Sequence, residues 1–129
     1  WIAPLDKLIL SVVQKAGCHV FLHICKDGLN MERYRSYGDY CDVVNWGVYE
    51  VPYSLEEGKK LFPGKTLMGG LANRSGPLVE GTQEELAAAV AQVVETAGTQ
   101  GFILGADCTL PTEIPTQRIR WVMEALRAL

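Results

Sequence analysis

Four short runs, residues 19–25, 42–46, 66–71 and 101–106, are apolar on both faces and rich in Val, Ile, Leu and Phe. A strand that faces water on one side alternates apolar and polar residues. Near-continuous apolar runs of this length fit strands covered on both faces, as in parallel sheets. Helical patterns separate them. Leu5, Leu8, Ile9, Val12, Val13 and Ala16 recur with a 3.6-residue period and predict an amphipathic helix. Leu86, Val90, Val93, Val94 and Ala97 repeat the pattern, as do Ile119, Val122, Met123 and Leu126. Ser54 with Glu57 and Thr82 with Glu85 are capping boxes. Pro115 with Thr116 suits a first helical turn, and Gly17, Gly64 and Gly98 stand where helices stop. The order is one helix, then four strand-helix units, with short helices after Asn30 and Ser54. Strict alternation of β and α predicts an α/β fold with a parallel sheet. Two architectures remain open: a small doubly wound sheet, or part of an eight-stranded barrel of about 250 residues.

Composition narrows the function classes. The chain has 129 residues, a formal net charge of −3 and no long run of Lys or Arg, so it lacks the electrostatic footprint of a nucleic-acid binder. Its longest apolar stretches, such as residues 20–24, fall far short of the roughly 20 residues a membrane helix needs. Residues 1–16 lack a basic start and are broken by Asp6 and Lys7, unlike a signal peptide. The chain begins at Trp1 rather than Met, so we expect a piece of a longer protein. The four cysteines, Cys18, Cys25, Cys41 and Cys108, allow two disulfides by count. With no secretion signal and a generous core, reduced thiols and a cytoplasmic location are expected, and burial is the plain expectation for each thiol.

The chemistry gathers at one end of the strands. Alternation points His23 and Cys25 the same way, at the C-terminal end of the first strand and before the loop Lys26-Asp27-Gly28. That end of an α/β sheet or barrel is where ligands bind. The fourth strand ends in Gly105-Ala106-Asp107-Cys108 and delivers Cys108 to the same rim. One imidazole and two thiols have the composition of a three-ligand zinc site with an open fourth position. Ordinary strand-end packing uses the same residues, and the spacing leaves both readings open. Gly69 and Gly70 either let backbone approach a ligand or form a tight turn. Asn73 and Arg74 follow in the loop, where Arg74 can pair with an anionic substrate group. Asp107 is a candidate partner for His23 or a turn cap. Tyr34, Tyr37, Tyr40, Trp46, Tyr49 and Tyr53 either line a pocket for a flat cofactor or pack helix on sheet. His19 lies a strand-length below His23 and reads as structural.

Val20-Phe21-Leu22-His23-Ile24-Cys25 resembles the fifth-strand motif of the uroporphyrinogen decarboxylase superfamily. Thr66-Leu67-Met68-Gly69-Gly70-Leu71, followed by Gly81-Thr82-Gln83-Glu84-Glu85-Leu86, resembles its seventh strand and next helix. Residues 101–108, with Pro111 and Pro115, resemble its eighth strand and closing helix. The resemblance runs in the family's order over nearly the whole chain. It implies that residues 1–129 are a single segment, the C-terminal half of a (β/α)8 TIM-type barrel, with the first four units elsewhere. True decarboxylases of this superfamily carry Gly-His-Gly at the eighth-strand rim, where this chain has Ala106-Asp107-Cys108. Methylcobamide:thiol methyltransferases carry H-x-C on strand five and a distant Cys on strand eight, and His23, Cys25 and Cys108 match that pattern. Two places depart from it: Lys26 stands where a glycine commonly follows the cysteine, and Asn45-Trp46-Gly47 replaces a more usual acidic ending.

The resemblance implies zinc held by His23, Cys25 and Cys108, and methyl transfer from a methylcorrinoid to a small thiol. The chain has no recognisable corrinoid-binding motif, so the corrinoid is expected on a separate protein. A porphyrinogen decarboxylase and a non-catalytic assembly fragment are the alternatives. Half a barrel also leaves two open sheet edges and an apolar inner face that includes Phe21, His23 and Cys25. The chain is therefore expected to pair with its missing N-terminal half or with a second copy of itself.

Overall fold

The computed structural model describes residues 2–25 and 28–129. Helix α1 (Ala3–Lys15) precedes strand β1 (Phe21–Ile24), a 3-10 helical segment (Met31–Tyr40) and β2 (Val43–Trp46). Then come α2 (Leu55–Leu61), β3 (Thr66–Leu71), α3 (Gln83–Ala97), β4 (Phe102–Ala106) and α4 (Thr116–Arg127). Ser54 and Thr82 close complete capping boxes with Glu57 and Glu85, as their spacing predicts. The segment after Asn30 is 3-10 rather than α-helical. Its Gly38, Asp39 and tyrosines are poor helix formers, and tertiary contacts hold it: Tyr37 donates to Asp6 at 2.8 Å and Lys7 to Ser36 at 2.7 Å.

All strand pairs are parallel, and the sheet order is β1-β2-β3-β4. Sequential order excludes the doubly wound alternative, because that topology reverses strand order at a switch point. Register puts Leu22, Ile24, Val44, Trp46, Leu67 and Leu71 on one face and Phe21, His23, Val43, Asn45, Met68 and Ile103 on the other. The first face is the core. Ile24, Val44, Trp46 and Leu67 pack there with Leu55, Leu61, Phe62 and Ala97, while Leu71 joins Leu78, Leu86 and Val90 under α3 and α4. The other face is open, with Phe21 62% and Ile103 37% exposed. Consecutive parallel strands with helices over one face form a partial TIM-type (β/α)8 barrel.

The apolar stripe of α1 is largely exposed: Leu5, Leu8, Ile9 and Val12 face out, while Leu10 and Val13 touch the core. β1 is an edge strand, and α1 packs chiefly against the 3-10 segment. One expectation is corrected. Burial of the cysteines holds for Cys41 alone. Cys18 and Cys25 are exposed and Cys108 half-buried, because the strands stop short of them, and all four are free thiols. Among the described residues no helix is long and apolar enough to cross a membrane.

Gly58 in α2 packs against the Trp46 indole, which lies fully buried with Tyr53 and Phe62 around it. A β-carbon on Gly58 would stand 2.1 Å from Trp46 Cη2 and 2.7 Å from Cζ2. Alanine inside a helix normally gains about 1 kcal/mol over glycine. Here overpacking of about 1–3 kcal/mol or more outweighs it, so Gly58→Ala is expected to lower the denaturant midpoint. An unchanged or higher midpoint would refute this packing.

Candidate metal centre

His23 sits on β1, one residue before its end, Cys25 immediately follows the strand, and Cys108 lies two residues beyond β4. These are the two edge strands of the sheet. In a flat sheet, three spacings of about 4.8 Å would hold them some 14 Å apart. Instead Cys108 Sγ lies 3.4 Å from His23 Nε2 and 3.7 Å from Cys25 Sγ, and all three donor atoms fall within 4.8 Å of one another. Curvature of the sheet and the inward β4–α4 loop bring them together. The sulfurs are not bonded, since a disulfide spans about 2.05 Å. Hydrogen bonding and charge from Cys108 push the Cys25 thiol above its ordinary range, Glu50 adds to this, and Arg74 opposes it. Lys26 and Asp27, which open the loop after β1, lie outside the described residues.

The donor set fits zinc. With Zn–S near 2.3 Å and Zn–N near 2.0–2.1 Å, a tetrahedral site has edges of about 3.8 Å between sulfurs and about 3.6 Å from sulfur to nitrogen. Two edges, at 3.7 Å and 3.4 Å, lie close to those values, and the third, from His23 to Cys25, is no longer than 4.8 Å.

Two polar side chains knit the rim beneath these donors. Asn45 on β2 meets His23 Nδ1 through its Oδ1, and its Nδ2 donates to the carbonyls of Met68 at 2.8 Å and Ala106 at 3.4 Å. Asp107, fully buried, accepts from the Gly70 amide at 2.9 Å and the Tyr49 amide at 3.2 Å. Burial raises its carboxyl above the usual range, while the Gly70, Tyr49 and Val48 amides pull it down. Asp107 is thus a clasp between β3 and the loop after β2, and the partner that His23 meets is Asn45. Its link to His23 escaped sequence reading because that depends on cross-strand register.

The remaining candidates divide. Gly69 (φ +141°) and Gly70 (φ +98°) are conformationally required, and their close approaches are internal. A β-carbon on Gly69 would lie 3.2 Å from Asp107 and 3.3 Å from Asn45, and one on Gly70 2.5 Å from Val93 Cγ1 of α3. Asn73 is buried and donates to the Thr109 carbonyl at 3.0 Å, joining the loops after β3 and β4. Arg118 of α4 reinforces that corner, donating to the Leu78 carbonyl at 2.9 Å and to that of Gly81. Arg74 is exposed at the rim, near enough for its charge to reach Cys25. Of the aromatics, Trp46 and Tyr53 serve packing, Tyr34 and Tyr37 meet in a tilted pair with ring centroids 5.7 Å apart, and Tyr49 stands exposed. His19 lies outside the strand, 85% exposed and 3.7 Å from Asp42. Such a pair contributes little.

Helices over one sheet face, an open inner face and parallel strands in sequential order define part of a TIM-type barrel, with a His/Cys cluster at its C-terminal rim. The whole chain, residues 1–129, matches the family described as uroporphyrinogen decarboxylase (URO-D), and the chain belongs to that family. Among solved structures it is similar to a methyltransferase from Methanosarcina mazei, with a TM-score of 0.72 and 16% identity. That match covers 92% of this chain and 34% of the methyltransferase, so the chain spans about a third of that protein's length. No curated protein sequence matches it.

Gly70→Ala is expected to cost about 2–3 kcal/mol, from left-handed strain and from the clash with Val93. Adding Val93→Ala should return part of the loss, because it removes only the steric component. Additive costs in the double variant would refute the contact.

Proposed function

We propose that the chain is part of a zinc-dependent methyltransferase that moves a methyl group from a corrinoid protein to a small thiol. The observation that carries this reading is the spacing of His23 Nε2, Cys25 Sγ and Cys108 Sγ. The likeness to a methyltransferase in fold supports it. His23, Cys25 and Cys108 are the residues that would hold the metal, and zinc with three protein ligands supplies an open position where a thiol is kept as thiolate. Cys25 and Cys108 give up their protons on metal binding, and His23 contributes a neutral nitrogen. Arg74, exposed in the loop after β3, offers a guanidinium to a carboxylate or sulfonate on the thiol substrate. Asn73 fixes the adjoining loop and thereby the root of Arg74. The eighth-strand rim reads Ala106-Asp107-Cys108 where true decarboxylases of the superfamily carry Gly-His-Gly. That favours the transferase over the decarboxylase reading.

The same reading requires a closed barrel. Apolar surface lies bare in three places: the inner face at Phe21 and Ile103, α1 at Leu5, Leu8 and Ile9, and α4 at Met123 and Leu126. These are the inner face and the two edges that further strand-helix units, or a second copy of the chain, would cover.

Elemental analysis of protein purified without added metal should find about one zinc per chain, lost in Cys25→Ser and in Cys108→Ser. Zinc content untouched by both substitutions would sink the proposal. Protons compete for all three donors, so zinc should be released as pH falls below about 6, and retention that stays flat from about pH 8 to about pH 5 contradicts thiolate ligation. Sedimentation of the isolated 129-residue chain should show association at micromolar concentration. A clean monomer would mean that the open face needs no partner.

A further inference from the structure

The orientation of the Asn45 amide is not free. Its nitrogen end meets two backbone carbonyls, Met68 at 2.8 Å and Ala106 at 3.4 Å, and its oxygen end meets His23 Nδ1. Carbonyl oxygens only accept, so turning the amide over would set its oxygen against two acceptors. The amide oxygen likewise only accepts, so the hydrogen in the contact with the imidazole belongs to His23 Nδ1. A neutral imidazole has one N–H, which leaves the lone pair on Nε2. Nε2 is the atom 3.4 Å from Cys108 Sγ.

We infer that Asn45 is a positioning residue that locks His23 in its Nδ1–H tautomer and thereby leaves the Nε2 lone pair on the side of the Cys108 thiol. The last step, that a metal receives this lone pair, rests on the zinc reading; the tautomer does not. Asn45 does this without adding charge. A carboxylate in its place would also accept from Nδ1, but would bring a third anion to a site where two thiolates already balance a dication. The anchor is rigid because Asn45 is held by carbonyls of β3 and β4 while it reaches β1, so the imidazole is oriented by the whole sheet. Partners of this kind fix the tautomer and direction of a metal-binding imidazole, and their loss typically costs about 10–100-fold in metal affinity.

The test is a long-range 1H–15N correlation spectrum of the reduced, metal-free protein, recorded well above the imidazole titration range. The His23 signals are assigned with a His23→Gln variant. Wild type should show a pyrrole-type nitrogen at Nδ1 and a pyridine-type nitrogen at Nε2. Asn45→Leu, similar in size but without an acceptor, should move His23 toward the Nε2–H form that free imidazoles favour. Zinc affinity measured against a chromophoric chelator should fall about 10–100-fold in Asn45→Leu. A pyridine-type Nδ1 in wild type overturns the inference, as does an Asn45→Leu spectrum matching wild type. Should Asn45→Leu fail to fold, the wild-type spectrum alone decides. A protein with Nδ1–H at His23 that takes up no zinc upholds the role of Asn45 and removes the metal reading instead.

Discussion

Asn45 touches every strand of the sheet: it belongs to β2, faces His23 on β1, and donates to carbonyls at Met68 on β3 and Ala106 on β4. A polar side chain on the inner face of a curved sheet must satisfy its donors there or lose several kcal/mol to desolvation, about 1–3 for each unmet group. By doing so, Asn45 ties the strand ends at the rim where the two edges of the sheet converge. Asp107 acts one step further along, joining β3 to the loop after β2. The two consecutive glycines of β3 make both contacts possible, since β2 pairs with β3 only as far as Asn45 and Met68. Past that point Asn45 and Asp107 take the Met68 carbonyl and the Gly70 amide.

This arrangement explains why the glycines matter although neither is aimed at a ligand. Gly69 leaves room for the two polar clasps, and Gly70 admits Val93 from α3. The rim is thus shaped from behind by packing and from within by hydrogen bonds. Arg74 and Glu50, opposite in charge and exposed, are left to act on Cys25 from the solvent side. Asn73 joins the loop after β3 to the loop after β4, and Arg118 ties α4 to the loop after β3.

A partial barrel carries a cost that a closed one avoids. The core beneath α2 and α3 is well filled, with Trp46, Phe62, Leu67 and Leu86 almost wholly buried. The edges are not: α1 and α4 each turn apolar residues outward, and the inner face is open at Phe21. Apolar stripes on outer helices and doubly apolar strands are therefore best read together, as the signature of elements that need neighbours on both sides.

Much of this was legible in the residues. Doubly apolar runs alternating with capped helices determine a parallel α/β arrangement, because no other layering covers both strand faces. Strand alternation determines that His23 and Cys25 share a face, and chain direction that Cys108 joins them at the C-terminal end. The capping boxes at Ser54 and Thr82 are equally local, since each needs only its own four residues. Sequence spacing could not decide between a flat sheet and a curved one, nor which flank of α1 meets the core. It could not see that Asn45 rather than Asp107 faces His23, because cross-strand register and the orientation of an amide are set by partners 23 and 61 residues away. Local patterns fix the type of each element and the direction of its side chains. Only the closed network of hydrogen bonds across four strands brings donors from opposite edges of the sheet within 4.8 Å.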